Sequence, residues 1–233
     1  MILEALTLLL AVFLIIILLR ATRHLADEME QYSRLPLAMS IFIAVWLIYL
    51  SVLSYTEVLT DYSLPPKMPL LVVLPLLILI ILSLFKKVTT DFVSTTSISW
   101  LIYIQSFRIL IELIIWGAYK QGIVPVIATF EGYNYDVLVG LTAVPMAYYA
   151  KREKFAPMVL ILWNVASLFI LANTVRLFLS AAYFPTELGS EMPMLGPSFT
   201  QLPYLLIAGF FMPLAVFIHA LSIKQLLQRD SNA

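Results

Sequence analysis

The chain has 233 residues, 62 % of them hydrophobic and 12 % charged, with a mean hydropathy of +0.97, far more apolar than a soluble domain, in which apolar residues make up roughly half. Fourteen basic residues balance fourteen acidic ones, which leaves no polybasic signature for nucleic acid or an anionic surface. Cysteine is absent, and disulfides and thiolate metal sites are excluded with it.

A membrane-spanning helix needs about 20 predominantly apolar residues. Seven stretches meet or approach that length: 2–19, 37–55, 69–85, 98–119, 135–150, 156–182 and 202–223. The expected fold is therefore all-α, a polytopic bundle of about seven transmembrane helices forming a single domain over residues 1–233. The first stretch opens MILEALT, with an acid and no basic residue, and runs into LLRATRHLADE instead of a small-residue cleavage site. It reads as a retained span, not a signal peptide. The fifth is short and carries Gly140 and Pro145, so it is the least regular.

Basic residues set the expected orientation. Arg20, Arg23 and Arg34 fall in the first connection, Lys86 and Lys87 in the third, Lys151, Arg152 and Lys154 in the fifth, and Lys224 and Arg229 in the tail, against only Lys67 and Lys120 in the even connections. By the positive-inside rule the N-terminus is outside and the C-terminus cytoplasmic. Seven spans so oriented admit a parallel repeat of spans one to three by spans five to seven, a plan used by small transporters. PLLILIILSLFKK from Pro75 and PLAVFIHALSIKQ from Pro213 both open with Pro-Leu and reach Lys eleven residues later. Two unrelated spans sharing a proline and a basic end would look the same.

The fourth span contains FRILIELIIW, with Arg108 and Glu112 four residues apart in an apolar run. Positions four apart share a helix face, which Gln105, Trp116 and Tyr119 continue. Arg108 is then close to mid-membrane, and Glu112 about 6 Å further outward at 1.5 Å per residue. Because a charge at a helix centre costs roughly 2.5 to 3.5 kcal/mol on insertion scales, both groups should face protein or water. They form either a substrate or ion site or a neutralised pair that locks helices together. The sixth span adds Asn164, Asn173 and Arg176. Asn173 and Arg176 share a face, Asn164 points about 180° away, and a bridge from Arg176 to Glu112 is an alternative pairing.

Between spans four and five, KQGIVPVIATFEGYNYDVLVG has a middle too apolar for a hydrated loop, broken by Pro125 and Gly132, with Asn134 and Asp136 as N-cap types. It either packs into the bundle as a lid or lies at the interface with Tyr133 and Tyr135 in the aromatic belt. The connection YFPTELGSEMPMLGPSFTQLP carries two acids and no base. Glu131, Asp136, Glu187 and Glu191 would then ring an outer vestibule above Arg108 and Arg176, and a mouth of one sign concentrates cations.

No nucleotide-binding or hydrolytic motif with firm mechanics occurs. His24 and His219 are the only histidines, and both are expected near the cytoplasmic interface, where they make a weak ligand set even beside Asp27, Glu28 and Glu30. The last span has no mid-membrane lysine for a retinal-type Schiff base, Lys224 lying at its cytoplasmic end.

TFEGYNYDVLVGLTA, LILWNVASLFILAN and LPYLLIAGFFMPLAVFIHALSIKQL, with FRILIEL upstream, resemble a family of small, uncharacterised bacterial multi-pass membrane proteins. The matching residues are Arg108, Glu112, Thr129, Phe130, Glu131, Gly132, Asn134, Asp136, Trp163, Asn164, Asn173 and His219, while Tyr133 stands where that pattern has Arg. The resemblance covers the C-terminal two thirds and implies a bacterial inner-membrane location, without an activity. Expected ligand-binding residues are Arg108, Glu112, Glu131, Asn134, Asp136, Asn164, Asn173 and Arg176. The expected function is transport or permeation of a small solute or ion; a sensor acting through a partner, an intramembrane enzyme and a structural subunit are the alternatives. No cofactor, metal or nucleic acid is expected. Membrane lipid is the expected partner, with a second copy of the chain or a membrane partner protein left open.

Overall fold

The computed structural model describes residues 1–152, 155–190 and 194–230, and the regular structure within them is helical throughout. Lys154 and Glu191, used above for orientation and for the vestibule, lie outside the described residues. The helices are α1 (Ile2–Glu28), α2 (Leu35–Tyr55), α3 (Leu74–Leu84), α4 (Lys87–Thr95), α5 (Ile98–Ile104), α6 (Phe107–Lys120), α7 (Asp136–Ala150), α8 (Pro157–Tyr183) and α9 (Met212–Asp230).

All seven predicted segments are helical, yet their lengths differ. Five rods are long and apolar enough to cross a membrane: α1, α2 with the turn before it, the α5–α6 pair, α8, and α9 with the turn before it. Residues 69–84 form a sixth only if joined to α4, from which they are bent by 77°. Helix α7 has 15 residues, about 22 Å at 1.5 Å per residue, short of a hydrocarbon core of about 30 Å. Two boundaries moved. Helix α1 continues past Leu19 to Glu28, because residues such as Arg20, Arg23 and Leu25 are good helix formers beyond the apolar part. The last helical segment begins at Ile207 and ends at Asp230, several residues later than 202–223.

Helix α4 was not expected, since KVTTDFVST is rich in β-branched residues that favour strands. It is held by burial of Thr89 and Val93, one turn apart, and by the Thr89 hydroxyl donating to the Ser83 carbonyl at 2.6 Å. Helix α9 is the hub of the bundle, packing on α3, α4, α5 and α8, while α1 packs on α2 and α6.

Two prolines open the same kind of defect. Proline has no N–H, so the carbonyl four residues earlier loses its helical partner. For Pro75 that carbonyl is Leu71, and for Pro213 it is Gly209. In both places the preceding turn widens into a π-helix, Pro69–Val73 and Ile207–Phe211, with a hydrogen bond spanning five residues. Both orphaned carbonyls are satisfied by aromatic donors of α2: Tyr49 O–H donates to Leu71 O at 3.0 Å, and Trp46 Nε1–H donates to Gly209 O at 2.7 Å. The two π turns touch. The correspondence of PLLILI and PLAVFI thus extends upstream into matching broken turns at one register.

Close approach of α7 to the α5–α6 rod depends on its small face, where Gly140, Ala143, Ala147 and Ala150 are buried in line with Asp136. A Cβ on Gly140 would lie 2.7 Å from Ile109 Cγ1 and 2.8 Å from the Ile109 backbone nitrogen, and the backbone atom has no room to retreat. Gly140→Ala should lower the stability of the detergent-solubilised chain by about 1–3 kcal/mol, the usual range for overpacking, read from its denaturation midpoint. Gly122→Ala is a poor control because of its positive φ, whereas Ala172→Ser on exposed α8 surface should change little.

Candidate functional site

The α5–α6 rod tightens at Gln105 and Ser106, where N–H groups bond three residues back instead of four. Gln105 Nε2–H donates across to Ala215 O of α9 at 3.1 Å. Immediately beyond this turn stands Arg108, 1 % exposed. Its Nε–H donates to Asp136 Oδ2 at 2.7 Å, and its Nη2 is ion-paired with Asp136 Oδ1, a fork-to-fork contact of the strong bidentate kind. Asp136 is the first residue of α7, where the N-terminal end of the helix dipole favours a carboxylate.

The remaining arginine nitrogen fixes a histidine. Arg108 Nη1–H donates to His219 Nε2 at 3.0 Å, and because guanidinium nitrogens only donate, Nε2 is the acceptor and the ring proton is on Nδ1. That Nδ1–H donates to Asn164 Oδ1 at 2.8 Å, and Asn164 Nδ2–H donates to Leu160 O at 2.8 Å. One buried chain therefore links α7, α6, α9 and α8. It leads on through Asn134, whose Oδ1 accepts the Asp136 backbone N–H at 3.1 Å and the Thr174 hydroxyl at 2.7 Å. Asn134 Nδ2 donates to both carboxyl oxygens of Glu112 at 2.9 Å and to Ala128 O at 3.1 Å.

The ion pair expected within α6 is not the one formed. Arg108 pairs with Asp136 of α7, and Glu112 is held by the Asn134 amide. The N-terminus of α7 presents the Asp136 carboxylate to the guanidinium in bidentate contact, and the Asn134 amide holds both Glu112 oxygens. Nor is there a bridge from Arg176 to Glu112: Arg176 is exposed and donates to Asn173 Oδ1 at 3.1 Å, while Asn173 Nδ2–H donates to Tyr133 O at 2.9 Å. Glu131 is also outside the cluster, accepting from Trp116 Nε1–H at 2.7 Å and from Lys120 Nζ at 3.4 Å on the surface. Of the eight expected residues, Arg108, Glu112, Asn134, Asp136 and Asn164 converge, and Glu131, Asn173 and Arg176 do not.

His219 and Thr174 belong to the cluster and were not expected there. His219, wholly buried, was placed near the cytoplasmic end because the last helix was read as 202–223. The observed helix, 207–230, sets it at the middle. Periodicity does carry a signal: Ala215, His219 and Ser222, spaced by four and three residues, fall on one helix face and all are buried. His24, by contrast, is exposed on α1, and among the described residues no group of three or more His, Asp or Glu could hold a metal.

Beside this cluster lies a chamber of about 100 Å³. Its apolar walls include Phe107, Ile111, Phe178, Phe199 and Phe211, and both π turns contribute. Its charged lining is Arg108, Glu112 and Asp136, with Thr174 beside them. The connections before α7 and before the Ile207 turn are tied together by Gly196 N–H donating to Ile123 O at 2.8 Å. The 120–134 connection buries Val124, Ala128 and Thr129 and leaves Val126 and Phe130 partly exposed. Gly132 permits its turn, since a Cβ there would lie 2.4 Å from Val126 O.

Residues 65–227 match the family model described as a domain of unknown function, DUF8737, a range that contains every residue of the cluster. No curated protein and no solved structure matches the chain.

Two outcomes follow from this geometry. Arg108→Met and Asp136→Asn should each cost about 3–5 kcal/mol, because either leaves a buried charge uncompensated. The double variant should lose less than their sum, with a coupling energy in denaturant titration that exceeds the one between Arg108→Met and Glu112→Gln. The second outcome concerns Glu131, whose carboxyl is held below its ordinary value by the Trp116 hydrogen bond first and Lys120 next. A depressed carboxyl keeps its tie above the unfolded value of about 4.3 and loses it as pH falls through the lower folded value. With Trp46, Trp100 and Trp163 replaced by Phe, Trp116 fluorescence should report a transition below that value, and Glu131→Gln should remove it.

Proposed function

We propose, for a chain that belongs to the DUF8737 family of domains of unknown function, that it carries a small solute or ion across a bacterial cytoplasmic membrane. In this reading it has seven spans, with the N-terminus outside and the C-terminus in the cytoplasm. The observation that carries the proposal is the chamber between the two proline-broken helices, one wall of which is the Arg108–Asp136–Glu112 cluster. Charged groups inside a membrane protein mark ion and substrate pathways, and transporters place their sites where helices are interrupted near the midplane. Broken turns recurring at one register fit a parallel repeat, in which two similar helices move against each other around a fixed site. The ten-to-two distribution of basic residues supports the orientation.

Flux through proteoliposomes tests this. The full chain, reconstituted, should accelerate entry of at least one member of a panel of small ammonium, carboxylate and uncharged solutes, followed by light scattering and by a trapped pH dye. Ala208→Leu, which projects into the chamber lining, should slow that entry at least tenfold. Binding of a panel member without accelerated entry would replace transport by the receptor-like alternative.

A further inference from the structure

The charged groups around the chamber do not balance. Arg108 is the one buried cation of the cluster, and its bidentate partner is Asp136. His219 adds no charge in the tautomer that the Arg108 and Asn164 contacts require. Glu112 remains, 1 % exposed and facing the chamber. Its hydrogen-bond donor is the neutral Asn134 amide, and among the described residues no basic group lies within salt-bridge distance of it. Arg108 acts on Glu112 through space, but its hydrogen bonds are committed to Asp136 and His219. A buried carboxylate without a contacting counter-ion is costly, and a cationic ligand in the chamber would supply that contact.

The rest of the chamber suits the body of such a ligand. Phe107, Phe178, Phe199 and Phe211 line it, and aromatic faces attract ammonium groups. Its volume of about 100 Å³ is below the roughly 150 Å³ of an apolar cavity that holds the six carbons of benzene, which in proportion limits the occupant to about four non-hydrogen atoms. Outside, Lys67 and Lys120, the bases of the outer connections, are each already paired with an acid, Asp61 and Glu131. Among the described residues Glu57 and Glu187 have no salt-bridge partner, two acids against the one exposed Arg176 of α8, which donates to the neutral Asn173, and a mouth of that sign draws cations.

We propose that the chamber is a binding site for a small alkylammonium ion, with Glu112 as its counter-ion and the phenylalanine walls around its hydrocarbon part. The inference rests on the transport reading for the side of entry, but the site itself is tested by binding alone. Propylammonium, propanol and propionate have nearly the same size and differ in charge. Titrated by calorimetry against the full chain in nanodiscs, propylammonium should bind at least tenfold more tightly than the other two, and Glu112→Gln should remove that preference. Ala208→Leu should weaken propylammonium binding at least tenfold with all charges in place. Tighter binding of propionate, equal binding of propanol, or a preference unchanged in Glu112→Gln would each overturn the proposal. The wild-type comparison decides the matter even if Glu112→Gln does not fold. Ammonium binding without flux would remove the transport reading and leave this site standing, whereas flux of propionate alone would do the reverse.

Discussion

A guanidinium buried among apolar helices has to be met by a carboxylate, and the Arg108–Asp136 pair is the constraint around which this bundle is arranged. Insertion scales put about 2.5 to 3.5 kcal/mol on an arginine at a helix centre. The cost is offset only if the start of α7 is delivered to α6 at the right distance. Gly140 and its alanine neighbours allow the helices to come that close. The Asn134 turn aims the Asp136 backbone, and Gly132 lets the preceding connection fold back far enough to bring Asn134 in. His219 and Asn164 then occupy the rest of the guanidinium and tie α9 and α8 to the same point.

Such a network contributes more to uniqueness than to net stability, since a buried pair often does little better than a well-packed apolar pair of equal volume. Its members cannot exchange partners without leaving a donor or acceptor empty, so four helices share one register. Glu112 stands apart because its partner is an uncharged amide. The buried ion pair organises the fold, and the buried acid held only by an amide faces the chamber.

That space has a separate origin, in the backbone. Pro75 and Pro213 each remove one helical hydrogen bond, and each preceding turn widens. Trp46 and Tyr49 of α2 satisfy the two freed carbonyls, so the interruptions persist without orphaned polar groups in an apolar setting. The same residue type at corresponding places in two helices produced corresponding irregularities, which is what a duplicated segment would do.

Apolar run lengths determined that the chain is helical and rich in segments able to cross a membrane, because in such a composition nothing but intrahelical bonding satisfies the backbone. Single polar residues inside those runs were equally plain, since each is costly in that setting. Arg108, Glu112 and Asn164 could therefore be singled out by position alone. Partner choice was not legible: periodicity placed Glu112 on the face of Arg108, yet Asp136, 28 residues on, took the guanidinium. Likewise Asn173 and Arg176 looked like cluster members but bind each other and a loop carbonyl. His219 was misplaced by a shift of a few residues in one helix boundary, enough to carry it from the interior to an edge. Hydropathy reports which segments leave water, an additive property of neighbouring residues, whereas ion pairing depends on directions and separations across helices that only the assembled bundle sets.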